Sequence, residues 1–433
     1  MVSPAVSVIV CTDGRLARLK RLIDALAWQA YPNFEVVVVA GPTQDGTLEY
    51  ANALAASGSI KLATCPVRNL SMARNLGIDI AAGTLLAFID DDATPTRNWL
   101  AGLASGFREG RVGAACGCVW DGEEGRVQFQ KGLSDTLGQS AQLDSSGQAQ
   151  LRPPVYRSVI GTNMMFRRQV LIDLGGFDER LAYYLDETDV CLKLWQSGLE
   201  IVDVDDAVVI HEPAGGHTRN DYRVTIQHFE IFHSKILFCL QHAHAAIEIR
   251  YIVQNCSEFI ARHRSELRSA IAARAALPED LAKLDADIER AWISGVRAAF
   301  SKQEQSRLDL NAKGKEFQSF PTRLPISASG TVIAALIYDV ATPIADILNR
   351  RDIYRLRARF RDLHLVLQSA EGRKSGFEQG VFVHLAKPEL DPVANGSRSR
   401  VLASNPMVGV SALWQKLKAI SPSGEHVILK ETF

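Results

Sequence analysis

Long apolar runs are missing from this chain. Nothing in its 433 residues reaches the roughly 18 uninterrupted apolar positions that a membrane span needs. The nearest candidate, Gly330 to Leu348, is interrupted by Asp339, Pro343 and Asp346 and reads as a helix packed within protein. A leader pattern is missing too, because Met1-Val-Ser-Pro-Ala runs straight into a strand-like stretch. The expected location is therefore cytoplasmic. Charge of one sign is also lacking. The formal net charge is −1, which gives no argument for nucleic acid as a partner. The seven cysteines are scattered and odd in number, with no zinc spacing or disulfide framework, which suits a reducing compartment. Cys116 and Cys118, two apart, read as packing residues on one strand face. Finally, no Gly-x-Gly-x-x-Gly and no P-loop follows the first strand-like run. The turn Cys11-Thr-Asp-Gly-Arg15 offers polar groups instead, which argues against nicotinamide chemistry and ATP hydrolysis.

What is present is ordinary soluble composition, 47% apolar and 22% charged, in a length that accommodates two or three domains. Residues 1–220 read as an α/β domain, 221–320 as a helical extension and 321–433 as a mixed C-terminal region without an assigned role. Val6 to Cys11 and Glu35 to Ala40 are buried, β-branched strands. Leu16, Leu19, Leu22, Ile23 and Leu26 recur at helical spacing between them. Asp45 to Ala56 is a second helix, and Ser71 is the expected N-cap of a third. Thr84 to Ile89 is a strand, followed by a helix near Asn98 to Phe107 and a strand from Val112 to Val119. This alternation implies a mostly parallel sheet flanked by helices. Ligands then sit beyond the carboxyl ends of the strands, where Thr12-Asp13, Gly41 and Asp90 to Asp92 all fall. Gly122 to Pro154 reads as a long loop or hairpin, Val155 to Arg167 as strand, and Ile201 to Ile210 as strand. Long helical patterns continue to about Phe320, and Ala370 to Ser404 is rich in Gly, Ser and basic residues.

Two acidic constellations carry the chemistry. In Thr84-Leu-Leu-Ala-Phe-Ile-Asp90-Asp91-Asp92-Ala-Thr-Pro95 an apolar strand ends in three carboxylates. Adjacent carboxylates repel unless a cation shares their charge, and Mg²⁺ or Mn²⁺ is held by a few carboxylates together with substrate phosphates. The competing reading is a solvated acidic turn. The second constellation is Tyr183-Tyr-Leu-Asp186-Glu187-Thr-Asp189. Asp186 and Glu187 fall at a helix start, where negative charge is favoured as a cap. Alternatively, one of them takes a proton from a hydroxyl nucleophile. Asp189 reads as structural, paired with a backbone or basic group.

Together these segments resemble a family-2 glycosyltransferase with the GT-A fold. The resemblance rests on Val8-Ile-Val-Cys-Thr12, Asn69-Leu-Ser-Met-Ala-Arg74-Asn75-Leu-Gly77, Phe88-Ile-Asp-Asp-Asp92, and Gly175-Gly-Phe-Asp-Glu179 leading to Asp186-Glu187-Thr-Asp189. It covers about Val6 to His217. It implies transfer of a sugar from a nucleotide diphosphate sugar to a hydroxyl of a glycan or lipid-linked acceptor, with inversion, in surface polysaccharide biosynthesis. Thr12, Asp13, Arg15, Gly41, Arg74, Asn75, Asp90, Asp91 and Asp92 would form the donor site. Asp90 and Asp92 take the outer places of the Asp-x-Asp motif, with Asp92 on the metal, Mn²⁺ or Mg²⁺, and His211 as a further ligand. His217 is a weaker candidate. Glu187 or Asp186 would be the base. Gly161, Thr162, Asn163, Asp186 and Trp195 would line the acceptor side, with Trp120 a further candidate; both tryptophans also suit core packing. Two departures stand out. Ala40-Gly41-Pro42 replaces the Asp that many relatives carry after the second strand, and the acidic pair is inverted in order. They keep open a non-catalytic nucleotide-sugar or glycan-binding protein with a degenerate fold. A nucleotidyltransferase would need a Gly-rich basic loop that Cys11 to Arg15 does not supply. A stripe of Phe229, Phe232, Lys235, Phe238, His242 and Arg250 suggests peripheral contact with the inner face of a membrane, or simply core. The helical region is also a candidate homo-oligomer interface.

Overall fold

The computed structural model describes residues 3–122, 126–143, 151–301 and 315–322, together with five strand segments farther along. In chain order, β1 (Val6–Thr12), α1 (Leu16–Leu26), β2 (Phe34–Ala40), α2 (Thr47–Ala56), β3 (Lys61–Thr64), α3 (Leu70–Ile80) and β4 (Leu85–Phe88) alternate strand and helix. There follow β5 (Ala93–Pro95), α4 (Trp99–Ser105), β6 (Val112–Asp121), β7 (Arg126–Phe129), β8 (Gly132–Asp135), β9 (Ser140–Gln142), β10 (Val155–Ser158), β11 (Met164–Arg167), α5 (Arg168–Asp173), α6 (Asp186–Gln196) and β12 (Glu200–His211). The helices α7 (Phe229–His242), α8 (Ile249–Ala272) and α9 (Glu279–Phe300) come next.

The alternation of side chains along a strand explains the layering. Val8, Val10, Val36 and Val38 pack with Leu19 and Leu22 of α1 on one face of the sheet. Ile9, Val37 and Val39 pack with Ile78 of α3 on the other. β1 and β2 are nearly continuous hydrophobic runs because both of their faces are covered.

The main sheet runs β3-β2-β1-β4-β11-β6-β12-β5, with β7 beside β6. Its first four strands are parallel, but β11 lies antiparallel between β4 and β6. The sheet is therefore mixed. The strand-like stretch from Val155 to Arg167 divides into β10 and β11, which join different sheets, and the expected loop or hairpin holds β7, β8 and β9. Ser71 does not cap α3. Asn69 does, accepting from the Met72 amide at 2.9 Å, while the Ser71 hydroxyl donates to the Leu181 carbonyl at 2.6 Å. Both residue types suit a cap, and a long-range partner decided which one serves.

The stripe divides between a buried centre on α7, the half-buried Phe229 and His242, and an exposed Arg250 on α8. Phe232, Lys235 and Phe238 are buried on α7, so these residues face protein and not a membrane surface. α9 ends at Phe300, and of the helical pattern expected to about Phe320, residues 302–314 lie outside the described residues. Residues 315–322 instead return to β2, where the Phe320 amide donates to the Phe34 carbonyl at 2.9 Å and the two rings lie 5.5 Å apart. No helix among the described residues is long and apolar enough to cross a membrane. The expected helix at Gly330 is a strand at its start. β13 (Thr331–Leu336) pairs within a five-stranded sheet that also contains β14 (Asp362–Gln368), β15 (Gly376–Glu378), β16 (Val381–Ala386) and β17 (Glu425–Ile428). A short apolar run fits either structure, and periodicity alone does not separate them. Apart from β15 and β16, the Gly/Ser-rich 370–404 stretch lies outside the described residues.

Candidate active site

β4 ends at Phe88, and the chain leaves the carboxyl edge of the sheet through Asp90, Asp91 and Asp92. Thr12 closes the neighbouring β1, and its hydroxyl donates to Asp91 Oδ2 at 2.7 Å. Arg15 reaches both carboxylates, with Nη2 2.8 Å from Asp91 Oδ1 and Nη1 2.9 Å from Asp92 Oδ2. Burial pushes the Asp91 carboxyl up to about 7 against the pull of Arg15. At Asp92 burial acts in the same sense, but the His211 hydrogen bond and Arg15 outweigh it and hold this carboxyl well below the usual range. Thr162 donates to Asp90 Oδ2 at 2.6 Å.

His211 joins this group through sheet register. β12 pairs antiparallel with β5 and sets His211 opposite Ala93, next to Asp92. Its Nε2 lies 3.3 Å from Asp92 Oδ1, and its Nδ1 lies 2.8 Å from Gln128 Oε1. One ligand atom each from Asp90, Asp92 and His211 converges within 4.8 Å. Two carboxylates and an imidazole at that separation fit a divalent cation, with Mn²⁺ more tolerant of nitrogen than Mg²⁺. His217 is exposed and outside the cluster.

A second group lies at the start of α6. The backbone of Tyr184 and Leu185 takes φ values of +77° and +65°, an uncommon region for such side chains. Asp186 then accepts from Arg74 Nη1 in an ion pair whose side chains are only 4% and 2% exposed. Gly161 allows this, because a Cβ there would lie 2.3 Å from Arg74 Nη2. Burial works against the Arg74 charge, yet Asp186, Glu187 and Asp90 together raise its pKa further. Glu187 forms no ion pair among the described residues, although the Arg74 charge pulls its carboxyl down and Asp186 shares a hydrogen bond with it. Burial first, and the neighbouring Asp186 second, push its carboxyl up to about 8. Asp189 pairs with Lys193 at 2.6 Å and His242 at 2.7 Å.

The remaining candidates scatter. Asp13 meets Arg68 at 2.8 Å, and the Gly41 amide donates to the Thr12 carbonyl at 2.8 Å, so both border the acidic edge. Asn75 donates to the Phe177 carbonyl at 2.8 Å and accepts from the Phe177 amide at 2.9 Å. Trp120 is buried in β6. Trp195 is 44% exposed and stacks with Tyr156, the ring centroids 6.3 Å apart. Asn163 is fully buried, donating to the Cys118 and Ala207 carbonyls and accepting from Trp99 Nε1. Asn163→Ala is therefore expected to destabilise the fold by about 1–3 kcal/mol, the cost of orphaned buried polar groups, as read by urea denaturation.

Three contributors were not foreseen. Gln128 orients His211 from a segment read as a loop or hairpin. The Ala214 amide donates to Asp92 at 3.0 Å. Glu212 accepts from Arg18 at 2.7 Å and also from Arg21, tying the strand end to α1. None has a local sequence signal.

The profile of glycosyl transferase family 2 matches residues 7–175. The matched span takes in Thr12, Arg15, Arg74, Gly161 and all three aspartates at the sheet edge. Residues 7–175 belong to glycosyl transferase family 2. Their mixed sheet with flanking helices is a GT-A fold. The acidic pair at α6 and His211 lie beyond the matched family-2 span. A glycosyltransferase of Haloferax volcanii, AglE, is 30% identical over 184 residues, 41% of this chain and 57% of its own length. The glucosyl-dolichyl phosphate glucuronosyltransferase of the same organism is 25% identical over 51% of this chain and 72% of its own. The chain thus spans little more than half of AglE. The mannosyltransferase PcManGT from Pyrobaculum calidifontis, solved with GDP-Man and Mn²⁺, is 18% identical over 68% of this chain and 88% of its own. Its TM-score is 0.41.

Proposed function

We propose that the protein transfers a sugar from a nucleotide diphosphate sugar to a hydroxyl of a glycan or lipid-linked acceptor, with inversion at the anomeric carbon. The observation that carries this reading is the convergence of Asp90, Asp92 and His211 within 4.8 Å at the carboxyl edge of a family-2 domain. Asp90, Asp92 and His211 would hold Mn²⁺ or Mg²⁺, which when bound offsets charge on a departing diphosphate. Arg15 and Arg74 supply fixed positive charge beside that position, where preorganised groups stabilise developing charge most effectively. Thr12, Asp13 and Gly41 border the same edge and suit contact with the nucleoside. Asp186 is committed to Arg74, which leaves Glu187 as the proton acceptor for the attacking hydroxyl. A single displacement by that hydroxyl from the face opposite the diphosphate inverts the centre.

The test is thermal stability against a panel of nucleotide diphosphate sugars, with and without Mn²⁺. A ligand selective for the folded state raises stability by roughly 2.7 kcal/mol at about a hundred times its dissociation constant. One nucleotide is expected to give a metal-dependent shift that Asp92→Ala abolishes. A well-folded sample that responds to no member of the panel would overturn the donor-site reading. A shift with no sugar transfer to any acceptor would favour the non-catalytic binding protein.

A further inference from the structure

A second cavity, of about 590 Å³, opens between the β8–β9 hairpin and helices α7 and α8. None of Thr12, Arg15, Asp90, Asp92 or His211 lines it. Tyr184 does, two residues before Asp186, so the cavity lies against the turn that presents the acidic pair. Its walls combine cations with rings. Lys235, 2% exposed, lies with Nζ 5.2 Å from the Phe259 ring centre and donates to the Leu137 carbonyl. Arg262 lies 5.5 Å from the same ring, and Arg152 lies 6.0 Å from that of Tyr251. Tyr184 stacks on Phe259, the centroids 5.6 Å apart. Among the described residues, none of these three cations forms an ion pair with a carboxylate. One acid, Glu258, lines the same space, and its carboxylate accepts from Gln254. Asn255, also on the wall, has a buried Oδ1 without a hydrogen-bond partner.

An excess of uncompensated cations in a concave site favours an anion, and arginine forks suit planar or tetrahedral oxyanions. Aromatic rings beside them suit the apolar face of a sugar. We infer that this cavity is the acceptor subsite and selects acceptors whose sugar carries an oxyanion, a phosphate or a carboxylate. Arg152, Arg262 and Lys235 then determine acceptor specificity, and Asn255 accepts from a sugar hydroxyl. The inference rests on the transferase reading for the word acceptor, while its binding claim stands on the cavity alone.

The experiment measures binding of glucose 1-phosphate, glucuronate and glucose to the full chain by ligand-observed NMR titration. It compares wild type, Asp92→Ala and the double variant Arg152→Met/Arg262→Met; both arginines are exposed at the cavity mouth, so folding is not at stake. The expected result is binding of an anionic sugar at least tenfold tighter than glucose. That binding should be unchanged in Asp92→Ala and weakened about 10- to 100-fold in the double variant, the range for charged hydrogen bonds. Whichever of phosphate and carboxylate binds tighter names the oxyanion. Equal binding of glucose, no binding of either anion, or binding lost in Asp92→Ala and kept in the double variant overturns the inference. Nucleotide-sugar stabilisation, measured on the same double variant, separates this failure from failure of the donor site.

Discussion

Glu187→Gln is expected to lower turnover by about 10²- to 10⁴-fold, the usual contribution of a positioned general base, while nucleotide-sugar stabilisation survives. Glutamine keeps the shape of the side chain and removes the proton acceptor. The pH dependence gives an independent readout. Burial and the Asp186 charge push the Glu187 carboxyl up to about 8, so the protonated, inactive form dominates at neutrality. Activity should rise as pH passes through that value, and the rise should vanish from the residual activity of the variant. Stability moves the other way. A carboxyl whose folded pKa is raised keeps its proton while the unfolded chain has released it, so folding weakens as pH climbs from about 4.5 to about 8. Glu187→Gln should flatten that slope in denaturation experiments run across the range. Full activity in the variant, with the same pH profile, would remove Glu187 from the mechanism and return the role to Asp186.

Arg74→Ala is expected to destabilise the protein by about 3–5 kcal/mol, enough to unfold many domains of ordinary stability. The reason is what it leaves behind. Asp186 is buried, and without Arg74 its charge has neither water nor a counterion. The variant also empties the space beside Gly161 and removes a cation stacked 5.2 Å from the Phe177 ring centre. Adding Asp186→Leu should recover much of the loss, because replacing both members of a buried pair by apolar groups is often close to neutral. Chemical denaturation of the single and double variants measures this directly. A loss below about 1 kcal/mol in Arg74→Ala would mean that water reaches Asp186. The rescued double variant should still bind nucleotide sugar poorly, since one of the two cations beside the diphosphate position is gone.

Much of this was legible in the sequence, for local reasons. The β-branched run from Glu35 to Ala40, closed by Gly41-Pro42, favours a strand covered on both faces, and the leucine spacing from Leu16 to Leu26 presents one apolar helix face. A strand that ends in Asp90-Asp91-Asp92 puts charge at a sheet edge wherever that edge lies. What the sequence left open was every choice between equivalent partners. Asn69 and Ser71 both suit a cap, and a carbonyl 110 positions away at Leu181 took the serine. His211 stands beside Asp92 because β12 happens to pair with β5. Asp186 and Glu187 are interchangeable on paper. They differ in the fold because Arg74, 112 residues earlier, pairs directly with Asp186, while burial and the Asp186 charge outweigh the pull of Arg74 on Glu187 and push it high. The stripe through Phe232, Lys235 and Phe238 suits core more often than a membrane face, and burial puts these three residues in the core. The cations facing one cavity come from a hairpin flank and two helices. Local propensity and periodicity set the elements, whereas contacts between residues far apart in the chain set the chemistry, and those contacts exist only once the elements are packed.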